Sequence, residues 1–168
     1  NKYLDEKLVI DQLQFGLGHT VLVDSGLNVN MKNDESVNRD DSTLDYCRLN
    51  DITIPDSVTT IGGGAFSGCV ELESITIPAG LETIYADTFR NCTALKNVVI
   101  DAKNEVYRSE GNCIIRNSDN ALIVGFAFCQ IPAGVTKIEQ SAFVAAGSTL
   151  EEIIIPNTVT SIGNSAFN

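Results

Sequence analysis

The residues best suited to chemistry in this chain are five cysteines (Cys47, Cys69, Cys92, Cys113 and Cys129), one histidine (His19) and 22 carboxylates set against 11 basic side chains. Zinc is held by thiolates and imidazoles in short pairs. No two cysteines stand in a CxxC spacing, and a single histidine excludes a multi-His site. Five cysteines also cannot all pair within one chain. Gly16-Leu17-Gly18-His19 resembles a phosphate loop in outline, but it lacks the third glycine and a following helical pattern, so it reads as a simple turn. His19 has no serine or cysteine nucleophile beside it in a motif. Asp34, Glu35, Asp40, Asp41 and Asp45 carry the oxygen ligands calcium prefers, yet their spacing fits no EF-hand loop and they read as a solvated loop. The sequence therefore predicts no catalytic residue, no metal and no cofactor.

What must position any functional residue is a period. Ile52, Ile54, Pro55, Val58, Ile61, Ala65, Phe66, Cys69 and Leu72 recur 23 residues later as Ile75, Ile77, Pro78, Leu81, Ile84, Thr88, Phe89, Cys92 and Leu95. Ile131-Pro132, Val135, Ile138 and Ala142-Phe143 repeat the pattern, and Ile155-Pro156, Val159, Ile162 and Ala166-Phe167 begin it again 24 residues on. A longer copy lies between, with 31 residues separating Val98 from Cys129. Within a unit, Ile75-Thr76-Ile77 alternates inward and outward as a short strand does. Pro78 ends that strand because it has no N–H to continue a ladder. A second short extended stretch such as Val58 to Ile61 follows, and Ala65 to Cys69 is a tight helical or turn segment that returns the chain. One such unit buries too little apolar surface to offset the entropy of ordering it, so neighbouring coils must complete the core. The fold class is a repeat solenoid: a leucine-rich-repeat right-handed superhelix, β-rich, with short parallel strands, short helical turns and about five coils.

The expected domains are a β-rich, non-repeat capping segment over residues 1–50 and a repeat domain over 51–168, with an insertion at about 101–128. In the insertion, Cys113 to Arg116 and Ala121 to Val124 flank the turn Asn117-Ser118-Asp119-Asn120, which is a hairpin signal. In the first 50 residues, Leu8 to Ile10, Thr20 to Val23 and Leu27 to Met31 suggest strands, and Met31 to Asp45 a loop. Their expected task is to cover the open edge of the first coil. The chain begins at Asn1 without a basic-then-apolar leader, which fits either a removed signal peptide or an excised fragment. The last repeat stops before its cysteine and leucine positions, so continuation past Asn168 is expected.

The pattern Leu72-x-x-Ile75-x-Ile77-Pro78-x-x-Leu81-x-x-Ile84, with Phe89 and Cys92 at fixed distances beyond, resembles the BspA-like leucine-rich repeats of bacterial surface proteins. Ile54 to Gly62 and Ile155 to Gly163 are especially close, and Val106 to Asn112 is similar to an insertion seen in that family. The resemblance covers about residues 50 to 168. It implies a secreted or surface-exposed, non-enzymatic module that binds a protein or glycan, often in adhesion to host or neighbouring-cell components. Uncopied residues 1–50, Gly62-Gly63-Gly64, and Ala146 in place of cysteine depart from the pattern. The triple glycine falls at a corner where other copies carry Tyr85-Ala86-Asp87 or Glu139-Gln140-Ser141, which makes it structural.

Cys69 and Cys92 share one repeat position and stack at about 4.8 Å in adjacent coils. A disulfide there is conceivable, but a buried free-thiol ladder is the better reading, since Ala146 fills the same place. The binding candidates are the outward residues of the ladder, one per coil: Thr53, Thr76, Val99, Gln130 and Ile154. Tyr107 and Arg108 in the insertion join them as residue types favoured at interface centres. A strip of five such coils measures about 240 Å², against about 800 Å² per partner for a standard interface, so loops or the insertion must contribute. The alternative function is a structural spacer that presents another domain away from the surface. Glycoside hydrolysis by a carboxylate pair is disfavoured, because repeat scaffolds seldom supply a rigid cleft.

Composition narrows the classes further. The net charge of −11 argues against nucleic-acid and anionic-membrane partners, and no apolar run is long enough to insert in a bilayer. The charge divides into −5 over residues 1–51 and −6 over 52–168, a spread-out surface rather than an acidic tail.

Overall fold

The structure, a computed structural model, describes the strand backbone at 28–31 and 49–50 and all residues from 51 to 168. The chain winds into a β-solenoid of about five coils. One face carries β2 (Leu49–Thr53), β4 (Ser74–Ile77) and β6 (Asn97–Ile100), parallel and in register at Ile52, Ile75 and Val98. β1 (Asn28–Met31) pairs antiparallel with β2, on the edge of the first coil. It falls in the Leu27 to Met31 run; Leu8 to Ile10, Thr20 to Val23, Gly16 to His19 and the acidic run Asp34 to Asp45 lie outside the described residues. On the second side, β3 (Thr60–Ile61) pairs with β5 (Thr83–Ile84) in parallel.

The corner between the two sides is built the same way each time. All four prolines of the chain follow an isoleucine, and the carbonyls of Pro55, Pro78, Pro132 and Pro156 accept from the N–H three residues on, at 3.0, 3.4, 3.1 and 3.1 Å. The returning segment is a 3₁₀ helix at Ala86–Phe89 in the second coil and a tight turn elsewhere. At the preceding corner, Gly64, Ser141 and Ser165 hold left-handed backbone (φ 71°, 57° and 53°), whereas Asp87 lies inside the 3₁₀ helix. That confirms Gly62-Gly63-Gly64 as a corner.

Phe66 and Phe89 stack with ring centroids 5.4 Å apart, and Phe126 meets Phe89 edge-on at 5.5 Å. Phe143 stacks on Phe167 at 4.8 Å. Phe66, Phe89 and Phe143 are the large buried fillers the period predicts; Phe126 is an addition to that set, and Phe167 is 42% exposed.

The long third unit departs from the others. β7 (Tyr107–Glu110), β8 (Cys113–Arg116) and β9 (Ala121–Gly125) form an antiparallel meander, and β9 then pairs in parallel with β10 (Lys137–Ile138), which pairs with β11 (Ser161–Ile162). The predicted hairpin is β8–β9; β7 is an additional strand. Cys113, Ile114 and Ile115 of β8 and all five residues of β9 are buried. Alternate side chains serve different cores. Ile114, Ala121, Ile123 and Val124 join the cluster of Ile52, Ile75 and Phe89, while Cys113, Ile115 and Leu122 join that of Val135, Ile138 and Phe143. The hairpin is thus a wall crossing the solenoid, with a core on each side.

That wall corrects the expected five-strand ladder. Cys129 to Ile131 and Ile153 to Ile155 form no strand. The turn between β7 and β8 stands where the next rung belongs: Asn112 Oδ1 accepts from Val98 N–H at 3.3 Å and Ser109 Oγ from Ile100 N–H at 3.1 Å. Gln130 N–H donates instead to the Gly111 carbonyl at 2.7 Å. Only glycine fits at 111, since a Cβ there would lie 2.0 Å from the Gln130 carbonyl oxygen.

Candidate functional site: the ladder face and the inserted hairpin

The outward residues of β2, β4 and β6 are Thr53, Thr76 and Val99, which stand side by side in register. Thr53 and Val99 are exposed and Thr76 is half-buried. The flat part of this face is therefore three rungs, about 140 Å² at the usual strand spacing. Beyond Val99 comes the β7–β8 turn, and beyond that turn come exposed Gln130 and Phe128. Phe128 is 61% exposed and Val99 43%. Buried Cys129 lies between Phe128 and Gln130, so both flanking side chains turn outward. Ile154 is 80% exposed but belongs to no ladder.

The structure separates the two insertion candidates from this exposed set. Tyr107 is buried, because β7 turns its ring into the first core, where burial raises the phenol pKa against a lowering bond to the Ile84 backbone. Arg108 is half-buried and committed: its guanidinium donates to Asn117 Oδ1 at 3.3 Å, Asn120 Oδ1 at 3.0 Å and Glu110 at 3.4 Å. Tyr107 is turned into the core, and Arg108 holds the hairpin with its side chain half-buried.

Three further devices fix the hairpin. Asp101 replaces the corner proline, and its N–H donates to the Ile77 carbonyl at 3.0 Å, a bond proline cannot make. Asn104 occupies the inward position of Leu81 and is buried. Its amide donates to the Pro78 and Leu81 carbonyls, both at 3.0 Å, and its Oδ1 accepts from Val106 and Tyr107 N–H at 2.9 and 2.7 Å. Arg116 reaches Asp119 at 2.6 Å and Glu139 at 2.8 Å, tying the hairpin to the fourth coil. The Asp119 carboxyl is lowered chiefly by its hydrogen bond to Arg116. For Glu139, burial raises the pKa, and the bonds from Lys137 and Arg116 together outweigh it.

The cysteines divide differently from the expected ladder. Cys113 and Cys129 form a disulfide that fastens β8 to the strandless segment of the fourth coil. Cys69 is also disulfide-bonded, which overturns its reading as a free thiol. Shared repeat position gave no hint of either bond, since Cys113 and Cys129 are brought together only by the insertion. Cys92 is the free, buried thiol. It donates to the Phe66 carbonyl at 3.0 Å, and burial pushes its pKa up to about 12, so it behaves as a packing residue. Among the described residues, no cluster of His, Cys, Asp and Glu could hold a metal, and no helix is long and apolar enough to cross a membrane.

Phe128 was hidden from a reading based on apolar periodicity because it is outward. Its signal is a large aromatic at a position where other coils carry Ser74 and Asn97.

Short parallel rungs, isoleucine-proline corners and a phenylalanine spine define a leucine-rich-repeat solenoid. Residues 38–168 match the family described as BspA type leucine rich repeat region, in six copies, and the chain belongs to that family. The match begins about a dozen residues before the first repeat legible in the sequence. The chain is similar to the crystal structure of a leucine rich cell surface protein from Faecalibacterium prausnitzii, with 28% identity and a TM-score of 0.52 over 72% of this chain and 39% of that one. It is similar in fold to the pneumococcal vaccine antigen PcpA, with 20% identity and a TM-score of 0.54 over 71% of this chain and 36% of that one. It thus spans less than half the length of either structure. No curated protein matches it.

Proposed function

We propose that this chain is a non-enzymatic binding module of a secreted or cell-surface bacterial protein, recognising a protein or glycan through the ladder face and the hairpin beside it. The observation that carries the reading is the pair of exposed apolar residues, Val99 and Phe128, on either side of the β7–β8 turn held by Asn112, Ser109 and Gly111. Large apolar side chains fixed on a rigid frame are what interface centres use. Membership of a family with a cell-surface relative at 28% identity supports the location. The three-rung strip is well short of a standard interface, so the β7–β8 turn and the Phe128 segment supply the remaining contact.

The test is saturable binding of the fluorescently labelled chain to epithelial cells, to other bacteria and to immobilised glycans, for the wild type and for Val99→Asp and Phe128→Asp. The expected result is saturable binding that falls at least about tenfold in each variant, with circular dichroism unchanged. Wild-type binding that survives both changes would move the site off this face. No saturable binding to any of the three would favour a spacer that presents another domain.

A further inference from the structure

We propose that the β8–β9 hairpin is a septum that divides the solenoid into two separately opening units, so that the ladder carrying Thr53, Thr76 and Val99 keeps its structure when the last two coils open. An uninterrupted repeat array couples every coil to the next through backbone bonds and a shared core. Here the first-face ladder and the buried core are both divided at one place; what crosses it is the β9–β10 backbone pairing, the Asn91 N–H bond to the Val144 carbonyl at 3.1 Å, and Ala145, a fourth-coil residue in the first core. β6 ends its ladder on the side chains of Asn112 and Ser109 rather than on another strand's backbone. The buried apolar residues fall into two clusters, and adjacent residues of β8 serve opposite ones, Ile114 the first and Ile115 the second.

The septum is also enclosed. Residues 114–128 lie inside the loop closed by the Cys113–Cys129 disulfide, so opening of the fourth and fifth coils cannot carry β8 far from the turn after β9. The first unit therefore retains its wall, and with it Ile114 and Val124 in the same core as Ile75, Phe89 and Leu95. The two units thus open separately.

The experiment is hydrogen exchange read by mass spectrometry on the whole chain in increasing, sub-denaturing guanidinium, for the wild type, Ile114→Ala and Ile115→Ala. In the wild type, peptides from 135–168 should open together at a different denaturant concentration from peptides from 52–100, with 113–125 following the latter. Ile115→Ala should speed exchange about 30-fold or more in 135–168 and leave 52–100 within about twofold; Ile114→Ala should do the reverse. Ile114→Val and Ile115→Val keep the test open if an alanine variant does not fold, with the same pattern at severalfold amplitude. A single opening shared by 52–100 and 135–168, or variants that speed both halves equally, would overturn the proposal.

Discussion

The second coil and the third solve the same problem with different groups. In the second, β4 sits between β2 and β6 and its rungs are backbone to backbone on both edges. In the third, the far edge of β6 is finished by Asn112 and Ser109, the corner by Asp101, and the inward corner position by Asn104 rather than a leucine or valine. The regular coil uses backbone bonds that any sequence can make and leaves the side chains to fill the core. The irregular coil uses side chains of defined length, each replacing one backbone partner. Regularity tolerates substitution at outward positions, and the insertion does not.

The largest expected effect is in the regular part. Phe89→Ala removes a ring that touches both Phe66 and Phe126 and should cost about 3–5 kcal/mol in guanidinium unfolding followed by circular dichroism. A cost near that of a surface change would mean the phenylalanine spine is not shared between coils. Next comes the disulfide, whose 16-residue separation gives about 3 kcal/mol for the double change Cys113→Ala with Cys129→Ala, measured the same way. Asn104→Ala should cost about 2–3 kcal/mol, because the N–H groups of Val106 and Tyr107 lose their buried acceptor. Asn104→Leu sharpens the comparison: it restores the regular coil's residue type and should still destabilise, and a stabilised protein would show that the amide bonds are dispensable.

Smaller effects concern charge. Asp119 and Glu139 are both lowered in the folded protein, so the unfolded chain takes up their protons first on acidification. Their contribution is complete above the ordinary carboxylate range of about 4 and is lost as pH falls through their lower folded values. In Arg116→Gln the decline in thermal midpoint between about pH 5 and pH 3 should be shallower than in the wild type; an identical decline would remove the Arg116 bonds from the acid response. Smallest of all, Lys96→Ala breaks an exposed bridge to Glu73 between regular coils and should change stability by about 0.5 kcal/mol or less.

The repeat was legible because buried isoleucine, leucine and phenylalanine are the direct cause of stacking, and their spacing is the coil length. Proline after Ile54, Ile77, Ile131 and Ile155 marked the corners, because it has no N–H to continue a ladder. The hairpin turn at Asn117 to Asn120 was legible from its polar residues between two apolar runs. What could not be read was where the hairpin lies. Ile114-Ile115 looks like any short apolar run, and nothing local says that its two faces meet two cores. Tyr107 looked like an interface residue by type, and only the path of β7 turns it inward. Gln130 and Ile154 had the right spacing for a ladder that the hairpin prevents. Asn104 did carry a signal, a polar residue at an inward position, and such exceptions to a period mark the places where side chains take over from backbone.

A solenoid can be viewed as a one-dimensional crystal, and the meander β7–β8–β9 is then a stacking fault. Up to β6 the lattice on the first face has a fixed translation from rung to rung; past the fault it resumes on the second side through β9, β10 and β11. A fault of this kind relieves the two stretches of lattice from sharing one phase. Coils could be gained or lost on either side of it without forcing the other side to change register, and the exposed Phe128 sits at the seam where the two meet.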